Sequence, residues 1–199
     1  MQHYIRNIKQ AIATNTNLEK TVEQATNSIN TSKDLDKLLD FLLEEGHKSS
    51  RYVYVFDLLH QKFPGNPHIL FTKAVSCHSL NRRESLKALT ETLAILHNSD
   101  DNPFLIRLCY ETIGVHYQNL NQINQAIAAY TIALSYYNPD EDDFIEVHSH
   151  SLYHRARLYF QLGKPAPAKK DIAFYLQHDP NNEVFIQLQK EIQQELYKK

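Results

Sequence analysis

The sequence predicts an all-α fold organised as a helical solenoid, and three observations carry the prediction. Glycine is scarce, four in 199 residues. Apolar residues recur at three- and four-residue spacing, the period of a helix with one buried face, and strand-like alternation is rare. Breaks fall at near-regular intervals: at Gly46, Pro64 to Pro67, Leu80-Asn81, Leu120-Asn121, Gly163 to Pro165 and Asp179 to Asn182. Short helices of about 12–15 residues, joined in pairs by brief polar turns, are what stacked helical hairpins write into a sequence.

Composition sets the outer limits. A chain with 42% hydrophobic and 22% charged residues has ordinary globular composition. At this length a folded chain buries about 70% of the surface its unfolded form exposes, enough for a core without staples. Twenty-one Lys and Arg against 23 Asp and Glu leave a formal charge of -2, which supplies no field for drawing in DNA, RNA or an anionic membrane. Neither nucleic acid nor membrane is an expected partner. The two cysteines, Cys77 and Cys109, cannot make a disulfide framework and stand in no metal-ligand spacing, which fits a reducing compartment. The opening MQHYIRNIKQAIATNTN breaks each apolar run with Arg, Asn, Lys or Gln, and no 18-residue apolar stretch occurs, so the expected location is the cytoplasm.

Residues 1–33 form an N-terminal helical segment. Tyr4, Ile5, Ile8, Ala11 and Ile12 make one stripe and Leu18, Val22, Ala25 and Ile29 a second, with no Pro or Gly between them, so two helices packed as a pair are expected. Residues 34–66 offer Leu39 and Leu43 opposite Tyr52, Phe56 and Leu59, close at Pro64, and contain no small residue at the helix seam. The next stretch sets Leu70, Ala74 and Cys77 against Leu86, Thr90 and Leu93, and the polar run His97 to Asn102 ends its second helix.

From Arg107 the pattern sharpens. Tyr110, Ile113, Gly114 and Tyr117 fall at the spacing W-x2-L-G-x2-Y, and Ala126 with Tyr130 falls on A-x3-F, with Ala133 beyond and Pro139 closing the unit. Small Gly114 and Ala126 let two antiparallel helices approach, while Tyr117 and Tyr130 fill the space around them. In the following unit Leu152, Ala156 and Tyr159 precede Ala168, Ile172 and Pro180, with Gly163 at the turn and Asp179-Pro180-Asn181-Asn182 at the close. Arg155 stands where an apolar residue is expected, and Pro165 and Pro167 suit a first helical turn. The chain from 34 to 182 thus resembles a tetratricopeptide repeat domain of about four units, best at 107–140 and 149–182. Ala74, Gly114 and Ala156 lie 40 and 42 residues apart, against a repeat of about 34, so the connections are lengthened. Residues 183–199 carry Val184, Phe185, Leu188, Ile192 and Leu196 on one face and polar residues on the other, a C-terminal capping helix.

The resemblance implies a right-handed superhelical array whose first helices line an inner face that binds a protein or peptide. By register that face holds Phe71, Val75 and His78, then Glu111, Val115 and Gln118, then Tyr153, Arg157 and Phe160. Members of the family that grip a chaperone C-terminal carboxylate use Lys, Asn and Arg there; Phe71, Glu111 and Tyr153 do not make that clamp. Phe71, Tyr153 and Phe160 would alternatively pack under a terminal helix folded into the groove.

Catalytic chemistry finds little footing. There is no G-x-S-x-G, GxxxxGK[ST] or GxGxxG, and Cys77 and Cys109 occupy packing positions, so no enzyme and no cofactor is expected. Eleven histidines are the unusual feature. His148, His150 and His154 follow an acidic run, and His150 and His154 share one helix face with Asp143 or Glu146 in reach of the same region. No metal is assigned on that basis, and His150 and His154 are the places to look for one. The function expected is that of an adaptor or interaction module; the alternatives are self-association into a homodimer and metal or small-molecule sensing.

Overall fold

The computed structural model describes residues 1–99, 102–136 and 144–197. Among them all regular structure is helical: α1 (Gln2–Thr14), α2 (Leu18–Asn27), α3 (Ser32–Glu45), a 3₁₀ turn (Gly46–Lys48), α4 (Ser50–Lys62), α5 (Pro67–Ser76), α6 (Arg82–Ser99), α7 (Pro103–Asn119), α8 (Ile123–Ser135), α9 (Phe144–Gln161), α10 (Pro165–Leu176) and α11 (Glu183–Tyr197). The chain divides into two compact units, Met1–Asp101 and Asn102–Lys199. The N-terminal pair and the C-terminal helix therefore each belong to the core of a unit. Among the described residues no helix is long and apolar enough to cross a membrane.

In the first unit α1 and α2 pack together, joined through Asn15 and Asn17 at φ 57° and 50°, a left-handed backbone that asparagine tolerates better than most residues. Ile8, Ile12, Val22 and Ala25 are buried with Leu38, Leu42, Val55, Phe56 and Leu59 in one core. The expected α3–α4 hairpin is altered. The close backbone approaches of α3 are to α5, and those of α4 are to α2 and α5. The cause is visible in the seam: with no small residue between them, α3 and α4 meet through bulky rings, Phe41 edge-on to Tyr52 at 6.0 Å. Backbone contact passes instead through the turn, where a Cβ on Gly46 would lie 2.6 Å from Ser76 Cβ. Leu43, expected in that core, is 44% exposed.

Helices α5 and α6 form a close hairpin. Ser85 Oγ donates to the Ala74 carbonyl at 2.6 Å, and Ala74, Cys77, Ser85, Ala88 and Thr92 are all buried. The small residues of α6 thus set its inner face. Thr90, expected inside, is exposed and satisfies its hydroxyl on the Leu86 carbonyl. Leu96 is buried, so the helix runs on past the polar residue His97 to 18 residues, longer than the spacing predicts. Lys73, also buried, is held by the carboxylates of Asp57 and Glu84.

The second unit opens with Asn102 Oδ1 accepting the Leu105 amide at 2.9 Å and Pro103 in the first turn of α7. The α7–α8 seam is as tight as the Gly114 position requires. A Cβ there would lie 2.7 Å from Tyr130 Cε1, and the Tyr130 ring is fully buried. Ile132, on the same helix, is 39% exposed. Helices α9 and α10 pack through Ala156 and Ala168, both wholly buried, and Gly163 turns between them at φ 68°. Helix α11 lies on α10 and α9, burying Phe185, Leu188 and Ile192 while Val184 and Leu196 stay exposed. The buried part of the expected capping stripe is thus three residues long.

Candidate functional site

The nine residues expected on an inner face divide between the units, and each has a definite environment. Phe71 and Val75 on α5 and His78 just after it are half-buried in the first unit. Burial, with Arg82 nearby, holds the His78 imidazole below its usual range. In the second unit Glu111 is buried and already engaged. Its Oε1 accepts from Arg107 Nη1 at 3.1 Å and from Ser151 Oγ at 2.7 Å, tying α7 to α9. Gln118 accepts from the Tyr130 hydroxyl at 3.2 Å, and Val115 packs against the same ring's cluster. Gln118 and Val115 therefore serve the α7–α8 seam, and Glu111 the contact of α7 with α9. Phe160 packs on the α9–α11 core.

Tyr153 and Arg157 border open space. Arg157 lies over the Tyr153 ring at 5.7 Å and donates to its hydroxyl at 2.9 Å, one helical turn apart. On the other side the Tyr153 ring meets Phe185 of α11 edge-on at 5.9 Å, so α11 covers part of the α9 face. The rest is open. A groove of about 620 Å³ runs beside Tyr153, Val184, Gln187, Leu188 and Lys190. A second cavity of about 350 Å³ is lined by His150, Tyr153, His154, Tyr175, Asn182, Val184 and Phe185. Both share Tyr153 and Val184, and Val184 is 57% exposed.

The local sequence builds this cavity in a few steps. Asn182 Oδ1 accepts the Phe185 amide at 3.3 Å and so starts α11, while its Nδ2 reaches the Tyr175 hydroxyl at 3.3 Å and Asp179 at 2.9 Å. That turn delivers Phe185 flat against Tyr175, ring centroids 3.8 Å apart and 12° from parallel, and leaves Val184 on the outer side. By spacing Val184 belongs to the cap stripe and Asn182 to the closing turn, and the sequence singles out no role for Tyr175. The available signal was an apolar residue two positions after a helix-capping asparagine and one before the buried Phe185.

The histidine run separates on folding. His148 is buried and lines another cavity, of about 250 Å³, with Leu134, Leu152, Arg155, Asp171 and Phe174. His150 and His154 come together with ring centroids 4.4 Å apart. Asp143 and the Glu146 side chain lie outside the described residues. Among the described residues no group of three or more His, Cys, Asp or Glu side chains is placed to hold a metal ion. His154 stacks on Tyr130 at 5.7 Å and meets Tyr153 edge-on at 5.4 Å, and its Nδ1 is enclosed without a hydrogen-bond partner. Burial, then the neighbouring His150 and Arg157, push its pKa down to about 4.

Stability should therefore depend on pH through this ring. The unfolded chain takes up a proton near pH 6.5 that the folded chain refuses until about 4. The contribution is fully present above 6.5 and is lost as pH falls toward 4, at up to about 1.4 kcal/mol per pH unit. Urea unfolding at pH 7.5 and 5.0 should show a loss of about 2 kcal/mol from this group, absent from the difference measured for His154→Gln. Equal pH differences in the two proteins would refute it.

Burial also pushes the Cys77 thiol up to about 11 and the Cys109 thiol to about 12, so both stay protonated at neutral pH and behave as packing residues. No family model, curated protein or solved structure matches this chain. The tetratricopeptide likeness accordingly rests on the residues that carry it.

Proposed function

We propose that this chain is a non-catalytic protein-interaction module, a right-handed superhelical array of tetratricopeptide-like hairpins that binds a peptide segment of a partner protein. The observation that carries the reading is the open groove between α9 and α11, in which Val184 stands 57% exposed beside Tyr153 and above Phe185. An apolar side chain left in water next to aromatic rings marks a place where burial is still to be gained. The rim is mixed in charge, with Lys190 against Glu183 and Glu191, and Arg157 sits on the Tyr153 ring that borders it. A neutral apolar anchor flanked by polar contacts suits it better than a strongly charged tail.

Self-association through α11 is less well supported, since its outward face is Gln187, Lys190, Glu191, Gln194 and Glu195, all exposed. The test compares wild type with Val184→Glu/Arg157→Ala, both surface positions whose replacement should leave the helix content unchanged. In affinity capture from the native lysate, a protein held by the wild type, cross-linked to α9 or α11 and lost by the variant is the expected result. Equal recovery by both proteins, or no recovery by either, would overturn the groove reading.

A further inference from the structure

We infer that His150 and His154 form a two-imidazole site for a divalent first-row metal of tetragonal preference, Cu(II) ahead of Zn(II), in the cavity between α9 and α11. The two residues are one helical turn apart, and their rings lie 4.4 Å centroid to centroid, tilted by 51°. A metal bound at about 2.0 Å from a ring nitrogen sits about 3.2 Å from that ring's centre. Two rings 4.4 Å apart then subtend about 90° at the ion, the angle between neighbouring ligands in tetragonal geometry rather than the wider tetrahedral angle that Zn(II) takes. Imidazole is also a ligand type for which Cu(II) outranks the other divalent first-row ions.

The surroundings favour the same chemistry. A metal needs a neutral ring, and burial keeps His154 neutral far below physiological pH. No hydrogen bond among the described residues claims His154 Nδ1, so the ring is not committed to one tautomer by a neighbour. His150 is exposed and gives the ion a way in, and the adjoining cavity of about 350 Å³ has room for waters to complete the coordination. Arg157, whose charge acts on His154, is turned onto the Tyr153 ring and hydroxyl.

The test is titration of untagged full-length protein with Cu(II) against a glycine competitor, followed by electron paramagnetic resonance and by visible absorption. A His3→Ala background removes the exposed imidazole nearest the N-terminus as a rival ligand. One equivalent should bind with a two-nitrogen equatorial signature. His150→Asn and His154→Asn should each weaken it at least tenfold, and Zn(II) should bind at least tenfold less tightly. His150 is exposed, so His150→Asn tests the site even if His154→Asn disturbs the fold, which circular dichroism would reveal. Copper affinity unchanged in His150→Asn, meaning adventitious surface binding only, would overturn the site; Zn(II) binding as tightly as Cu(II) would overturn the assigned geometry.

Discussion

Tyr130→Ala should cost about 3–5 kcal/mol, the range for removing a fully buried aromatic ring, and should reverse the sign of a second substitution. The ring is wholly enclosed, its hydroxyl is bonded to Gln118, and one face stacks on His154, so it has nowhere to swing. In the wild type Gly114→Ala gains about 1 kcal/mol in helix propensity. It also drives a methyl group to within 2.7–2.9 Å of three ring atoms, an overpacking worth about 1–3 kcal/mol. The net is a loss. In the Tyr130→Ala background the obstruction is gone, and Gly114→Ala should stabilise by about 1 kcal/mol. Guanidinium unfolding of the four proteins measures the coupling, expected at about 2 kcal/mol. Gly114→Ala raising stability in the wild type would show that the seam is looser than the structure has it.

The same seam shows how far the amino-acid pattern reaches. Gly114, Ala126 and Tyr130 stand where two helices touch, and the structure puts the ring on the glycine. Ala156 and Ala168 do the same for α9 and α10. Where small residues are missing, between α3 and α4, the pattern also loses its power. The register expects a hairpin, and the close partner of α3 is α5. Periodicity tells which face is apolar but not which helix will cover it, and small residues supply that second piece of information.

Placement on a face by helical spacing brings Tyr153 and Arg157 one turn apart on one helix, where they meet. It failed for Glu111, because a carboxylate assigned to an inner face by spacing is in fact claimed by Arg107 and Ser151, and Ser151 lies 40 residues away in sequence. It failed again for Val184. Its exposure depends on where Asn182 starts α11 and how Phe185 seats on Tyr175, both tertiary facts. His150 and His154 were adjacent by helical spacing alone, whereas the departure of His148 to a different cavity follows from its position two residues earlier on the turn.

Arg155 is the departure from the repeat pattern with the largest consequence. An apolar residue is expected there, and the structure shows instead a two-pronged ion pair. Arg155 Nε and Nη2 donate to the two carboxylate oxygens of Asp171 at 2.8 and 2.7 Å, and Nη1 reaches Thr131 Oγ1 at 3.0 Å. One group thereby ties α8, α9 and α10 together. The Asp171 side chain is 8% exposed and the Arg155 side chain 16%, so neither charge is well hydrated. Removing one partner leaves the other uncompensated, whereas removing both leaves an apolar gap that Leu152 and Ile172 nearby can tolerate. Asp171→Ala should therefore cost about 3–4 kcal/mol, and Arg155→Met/Asp171→Leu should return to within about 1 kcal/mol of wild type. Guanidinium unfolding gives both numbers, and hydrogen exchange should place the loss in α8 to α10. If the double variant fell as far as Asp171→Ala, the pair would be contributing net stability in its own right, and the apolar residue that the repeat pattern expects would be the poorer choice here.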